Sequence, residues 1–378
     1  MEVRNQSEIK TKVTQVSFID LKRQYRQHRE EILGLIDNIL SSGTYILGDV
    51  VENFEKNAAK YLGCKYVLSV ANGTDALILI FKSLNIGPGD EVILPTNSFV
   101  ATAGAVAAVG ATPILCDISN DLNLDVAQLQ ALITKKTKAI IPVHLTGRPA
   151  EMDKINEIAK QYSLFVVEDA AQSIGARYKN AMTGTLSDAG CFSLHPLKNL
   201  HVYGDGGLIS TNNDKLYADI KLLRNHGLVN RDTCMRWGLN SRLDTLQAGI
   251  ANFSLSYIEK WNNQRRHMAA IYRDTLKNVI ETPSDKSHEH SVYHNFVAFA
   301  EKRDELMKFL LSKGIETKIH YPIQIHLQPA AASLGYKLGD FPTAENIAER
   351  MISLPIYSEL LADEQEYVIE TILRFYRG

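Results

Sequence analysis

The chain of 378 residues is long enough to bury two sizeable cores. Its 41 Lys and Arg nearly balance 43 Asp and Glu, for a net charge of -2, and no basic block of five occurs, so the footprint of a nucleic-acid or membrane-surface protein is missing. No run of 18 apolar residues suggests a membrane-spanning helix, and the polar start MEVRNQSEIKTKVTQV lacks the apolar region of a signal peptide.

Residues 32–40 and 51–62 carry apolar side chains at three- and four-residue spacing, which predicts amphipathic helices. Residues 66–70 form a short apolar strand that runs into the turn Ala71-Asn72-Gly73-Thr74-Asp75 and a helix starting near Ala76. Six further apolar strands are expected at 91–95, 112–116, 139–143, 164–167, 190–194 and 207–210, most of them separated by helical segments. Strands this apolar are covered on both faces, which predicts an α/β fold with a mostly parallel seven-stranded sheet flanked by helices. A long helix follows from about 246 to 277, then the polar loop SDKSHEHS. The remainder reads as a strand, a helix at 304–313, a strand at 317–320, a loop, a helix at 343–352 and a last helix from Asp363. The expected division is a large domain, 1–255, and a smaller C-terminal α+β domain, 256–378. The four cysteines, Cys64, Cys116, Cys191 and Cys234, are widely spaced with no CxxC pair. They fit buried thiols in a reducing compartment better than disulfides or a zinc site, so a cytoplasmic protein without a metal is expected.

Ligands of such sheets collect beyond the carboxyl ends of the strands. The polar residues that follow strand ends are 72–75, 97–99, His144, 169–172 and Lys198. Lys198 stands in CFSLHPLKNLHVYGDGG, in a strand-like apolar run before a glycine-rich turn. Taken singly, each signal has an ordinary reading. A lysine at a strand end snorkels to water, Asp169 caps a helix, and Asn72-Gly73-Thr74-Asp75 is a plain strand-to-helix turn. Taken together, they supply an amine nucleophile, a carboxylate for a ring nitrogen and helix-start N–H groups for a phosphate, with the Ser193 hydroxyl five residues before the lysine. Pyridoxal 5′-phosphate requires that combination.

With its neighbours, that set resembles the DegT/DnrJ/StrS sugar aminotransferases. The resemblance runs through SFIDLKRQY (17–25), SGTYILG (42–48), ANGTDAL (71–77), GPGDEVILP (87–95), VEDAAQSIGA (167–176), FSLHPLKNL (192–200) and YGDGG (203–207). It continues through LRNHG (223–227), LNSRLDTLQA (239–248), IHYP (319–322) and SLPIY (353–357), and so covers nearly the whole chain from Ser17. The resemblance implies the aspartate-aminotransferase fold and a cofactor held covalently by Lys198, which also moves the proton between cofactor and substrate carbons. It further implies Asp169 on the pyridine nitrogen, Gln172 on the phenolic oxygen, Phe99 stacked on the ring, and Gly73, Thr74 and Ser193 on the phosphate. Asn240 is implied to reach the phosphate of a neighbouring subunit, hence a homodimer with two shared sites. The implied reaction carries an amino group from L-glutamate to a keto-sugar, nucleotide-linked or a keto-sugar acid, in amino-sugar or surface-polysaccharide synthesis. Related dehydratases carry histidine at the lysine position, and non-catalytic regulatory members have been proposed.

The sequence departs from the family pattern near Lys198. Leu194-His195 replaces an aromatic pair, His201-Val202 replaces a Gly-Ala pair, and Lys318 precedes IHYP where relatives more often carry a small or polar residue. One reading is drift. The other is that His195, His201 and Lys318, with His320 and Tyr321 of IHYP, form an acceptor pocket with added positive charge for an anionic sugar.

Overall fold

The computed structural model describes residues 13–282 and 284–377. Two helices lead in, α1 (Leu21–Ser42) and α2 (Asp49–Leu62). An alternating series follows: β1 (Tyr66–Val70), α3 (Gly73–Ser83), β2 (Glu91–Pro95), α4 (Val100–Ala108), β3 (Thr112–Cys116), α5 (Leu129–Leu132), β4 (Thr137–Ile140), α6 (Met152–Tyr162) and β5 (Phe165–Asp169). A small hairpin, β6 (Arg177–Tyr178) and β7 (Ala181–Met182), precedes β8 (Ala189–Ser193), β9 (Gly207–Thr211) and α7 (Asp214–Leu223). The helix α8 (Thr245–Leu276) then leads to β10 (Glu289–His290), β11 (Phe296–Phe299), α9 (Arg303–Ser312), α10 (Pro342–Arg350), β12 (Met351–Leu354) and α11 (Ala362–Arg377).

The main sheet has seven strands in the order β1-β9-β8-β5-β4-β2-β3. All run parallel except β9, which pairs antiparallel with both β1 and β8. Successive side chains on a strand face opposite ways, and here both faces are apolar and buried. Leu68, Val92, Val167, Cys191 and Ile209 pack under α3, α4 and α7. Their neighbours Val67, Phe192 and Leu208 pack under α2 and α8, and Ile93, Ile140 and Val166 pack under α6. Each fully buried Leu, Ile or Phe contributes about 1.5–3 kcal/mol, which is why strands without a polar face fold only as the middle layer.

The second unit pairs β11 with β12 and packs them against α9, α11 and the carboxyl half of α8. The boundary expected at 255/256 falls inside α8, whose first half packs in the layer under the main sheet and whose second half packs in the smaller core. The segment at 317–320 is not a strand as expected; it makes one bridge, Lys318 to Ser353. The helix expected at 343–352 ends at Arg350, because Met351–Leu354 peels off to pair with β11. A run of apolar residues at a helix end reads as more helix until its strand partner is known. None of the described helices is long and apolar enough to cross a membrane.

The carboxyl ends of β1, β2, β5 and β8 lie at one edge of the sheet. Gly207, the first residue of the reversed strand β9, sits there opposite both Val70 and Ser193.

Candidate active site

A cavity of about 360 Å³ opens at that edge. Its floor is built by strand ends. Asp169 is the last residue of β5, Ser193 the last of β8, and the turn after β1 enters α3 at Gly73. Asn72 caps α3, its Oδ1 accepting from Asp75 N at 2.8 Å. The first N–H groups of a helix have no partner within it, so those of Gly73 and Thr74 are left to a ligand, and both residues line the cavity. A Cβ on Gly73 would meet the Ser193 Cβ at 3.1 Å, and one on Gly207 would sit 2.4 Å from Asn72 O. Both glycines let the β1–α3 turn press against β8 and β9, which brings the helix start into the cavity.

Lys198 does not stand in a strand. The strand stops at Ser193, and Lys198 lies in turns whose geometry is set by local bonds: Lys198 N donates to His195 O at 2.8 Å and Val202 N to Leu194 O at 2.9 Å. Pro196, which has no N–H to donate, keeps this segment from continuing the ladder. Lys198 is half-buried as a residue, and burial of its amine brings the pKa down to about 8 against the opposing pull of Asp169, then Cys191.

The Asp169 carboxylate is buried and held by three donors. Thr102 Oγ1 donates to Oδ2 at 2.8 Å, Ala171 N to Oδ1 at 3.2 Å, and the Cys191 thiol to Oδ1 at 3.7 Å. Ser98 Oγ lies 2.5 Å from Thr102 Oγ1; since Thr102 gives its proton to Asp169, Ser98 donates in turn. Burial and the neighbouring Asp169 charge push the Cys191 thiol well above its ordinary range, so it stays a thiol. Gln172 is fixed at both ends: its Oε1 accepts from Thr146 N at 2.7 Å and its Nε2 donates to Tyr321 Oη at 3.1 Å. Burial pushes the Tyr321 phenol up to about 12. The Phe99 ring, half exposed, lies 5.5 Å from the Tyr321 ring over the opening.

Of the residues expected from the sequence, Gly73, Thr74, Phe99, Asp169, Gln172, Ser193, His195, Lys198, His320 and Tyr321 line this one cavity. Four do not. Asn240 is exposed and bridges Asn225 outside the cavity of its own chain. Lys318 is exposed. His201 is buried behind the lysine, its Nδ1 donating to Lys198 O at 3.1 Å and its ring stacked 5.5 Å from Trp261. His144 is fully buried against Glu168, with Nε2 at 2.9 Å.

Burial works against the extra positive charge expected from the histidines. Burial lowers the pKa of His201 and of His320 to about 4, and it lowers that of His195, so burial works against imidazolium at all three. His195 spends its Nδ1 accepting from Leu197 N at 3.3 Å, and His320 Nδ1 bonds Ser353 Oγ at 2.8 Å. Spacing to Lys198 counted residues along the chain, but burial decides charge.

Sequence reasoning passed over Thr102, Asp205 and His294, which also line the cavity. Thr102 sits in the apolar helix VATAGAVAA with no neighbour in sequence to mark it, and His294 comes from the far unit, bonding Asn199 Oδ1 at 3.3 Å.

Comparison with known proteins places this geometry. A model of the DegT/DnrJ/EryC1/StrS aminotransferase family matches residues 26–373. A Geobacillus stearothermophilus protein named pleiotropic regulatory protein is 43% identical over 96% of this chain and 99% of its own. A UDP-2-acetamido-2-deoxy-3-oxo-D-glucuronate aminotransferase from Pseudomonas aeruginosa is 43% identical over 91% of this chain and 96% of its own. The crystal structure of DesV from S. venezuelae, in complex with a ketimine intermediate, superposes with a TM-score of 0.95 at 38% identity, covering 97% of this chain and all of that one.

Proposed function

Since the chain belongs to the DegT/DnrJ/EryC1/StrS family and is a sugar aminotransferase that uses pyridoxal 5′-phosphate, we propose that it carries an amino group from L-glutamate to the keto carbon of a nucleotide-linked 3-keto-sugar. Its place would be amino-sugar or surface-polysaccharide synthesis. The observation that carries this is one cavity in which the Lys198 amine, the Asp169 carboxylate and the open start of α3 meet. The residues fit the cofactor. The cradle of Gly73, Thr74 and Ser193 offers unpaired N–H groups and a hydroxyl at a helix start, the setting that binds a phosphate. When bound, the cofactor supplies an electron sink for the carbanion formed as the substrate C–H bond breaks.

The chain's own groups supply the rest. Lys198 would hold the cofactor covalently and, once released, take a proton from one carbon and return it to another. An amine with a pKa of about 8 suits that exchange near neutral pH. Asp169, kept in place by Thr102 and Ala171, would hold a proton on the ring nitrogen. Gln172 would donate to the ring's phenolic oxygen, and Phe99 would cover the ring face, worth about 1 kcal/mol beyond its buried area. A 3-keto acceptor is favoured by the substrate named for the Pseudomonas relative. That same substrate is a glucuronate, so a carboxylate on the nucleotide-linked sugar is compatible with this reading, although burial works against a charged His201 as its partner. A second copy of the chain would complete the site, with the exposed Asn240, which does not line the cavity of its own chain, reaching the partner's phosphate.

A second reading, a regulatory role beside catalysis, draws on the name of the Geobacillus relative. One experiment tests the proposed reaction. Protein reconstituted with pyridoxal 5′-phosphate is expected to lose its visible absorbance band on adding L-glutamate and to regain it on adding a nucleotide-linked 3-keto-sugar. A band that glutamate leaves unchanged would reject L-glutamate as the donor. A band bleached but restored only by neutral or acidic sugars without a nucleotide would reject the proposed acceptor.

A further inference from the structure

Lys198 also lines a second, small chamber of about 10 Å³. Three elements meet around it: the start of α1, the turn that carries Lys198, and the segment after β12, with the α8 side chain Arg265 between them. Three of the side chains that line it are more than nine-tenths buried and carry polar atoms without a protein partner: Arg265 Nε, Gln24 Oε1 and Glu359 Oε1. Arg265 Nη1 donates to Ile356 O at 2.7 Å and to Tyr293 O and His294 O at 3.3 Å. Leaving such groups unpaired in a folded interior costs about 1–3 kcal/mol each, more when charged.

The unpaired set is one donor and two acceptors. A single water accepts from the donor and gives one hydrogen to each acceptor, and the chamber is about the size that one water needs. No anion fits, since two of the three atoms are themselves acceptors, and no metal ion fits beside a guanidinium. We infer that one ordered water sits here, accepting from Arg265 Nε and donating to Gln24 Oε1 and Glu359 Oε1. It joins Arg265 to Glu359 as a water-separated ion pair. The same chamber is walled by Pro196, Lys198 and His201, and His201 already holds the Lys198 carbonyl. The bridge therefore clamps the Lys198 turn between the amino-terminal helix and the carboxyl-terminal unit, and Gln24, Arg265 and Glu359 are positioning residues for the Lys198 amine. This role rests on the reading of Lys198 as the residue that captures the cofactor.

Glu359→Gln and Glu359→Leu both remove the charge, but only the glutamine keeps an acceptor. Two quantities separate positioning from general damage: the rate at which cofactor-free protein captures pyridoxal 5′-phosphate covalently, read by borohydride trapping and peptide mass, and the affinity for pyridoxine 5′-phosphate, which has no aldehyde to capture. Glu359→Leu is expected to slow capture on the order of tenfold while pyridoxine 5′-phosphate binds within about twofold of the parent, because a displaced amine loses alignment and the phosphate cradle does not. Glu359→Gln is expected to stay near the parent in both. If capture and binding fall together, or the two variants behave alike, the positioning role is overturned. A crystal structure of the parent holoenzyme tests the water without any variant. Density bridging the three atoms supports it, while an empty chamber or a direct Arg265–Glu359 bond overturns it. Trapping on a lysine other than Lys198 would overturn the Lys198 reading and the positioning role with it, whereas the density would still decide on the water.

Discussion

At the scale of single residues, the site depends on one amine held partly neutral. Lys198 titrates near 8 because burial removes water from its ammonium faster than Asp169 restores the charge. Capture of an aldehyde needs the neutral amine, so the capture rate in cofactor-free protein is expected to rise with pH, reach half its maximum near 8 and level off above. Borohydride trapping across pH 6 to 10 measures it; a half-point near 10 would show a solvated lysine. The same shift has a sign for stability. Unfolded Lys198 holds its proton up to about 10.5, the folded residue only to about 8, so between these values the unfolded chain binds more protons. Stability from this group therefore increases with pH through that window and is lowest below it. Asp169 and Lys198 were legible as residue types after strand ends. Their tuning was not, since Thr102 and Cys191 arrive from other elements. The histidines mark the opposite failure: His201 looks like a free cation in FSLHPLKNLH, and only packing against Trp261 makes it a neutral prop.

At the scale of elements, the β1–α3 turn carries the phosphate cradle, and its position depends on the strand beside it. The Cβ of Gly207→Ala would fall 2.4 Å from Asn72 O and 2.9 Å from Gly73 N, and these are backbone atoms that cannot rotate aside. The turn must move, at a cost of about 1–3 kcal/mol for an overpacked site. The expected result is a lower melting temperature for the cofactor-free protein and weaker binding of pyridoxine 5′-phosphate. Unchanged affinity would show that the cradle does not rely on this contact. The strand runs themselves were readable as apolar blocks, six of them to within a residue or two at most ends. The α10–β12 junction was not, because the same apolar residues suit a helix end and a buried strand, and pairing with β11 chooses between them.

At the scale of the whole molecule, the segment 229–240 exposes three large apolar side chains. Trp237 is 90% exposed, with Met235 and Val229 nearby in sequence. Large exposed apolar groups gathered this way mark an interface, and Asn240 lies at the end of the same segment. The holoenzyme is expected to sediment as a homodimer at micromolar concentration. Trp237→Glu should shift it toward monomer and weaken pyridoxine 5′-phosphate binding together, since the partner's Asn240 would leave the phosphate site. A fully active monomer would rule out a shared site.

What the sequence by itself determined is the layered sheet and the chemistry gathered at its edge. Apolar strands with no polar face can fold only between helices, and the residues after their carboxyl ends then have one place to meet. That follows from burial and chain direction, both written locally. The tertiary structure alone decided the burial that works against charge on the histidines, the donors that hold Asp169, and the side chains that reach the cavity from the far unit. Each depends on what a side chain meets across the fold. Desolvation and hydrogen bonding act over a few ångströms of space, whatever the number of residues between the partners.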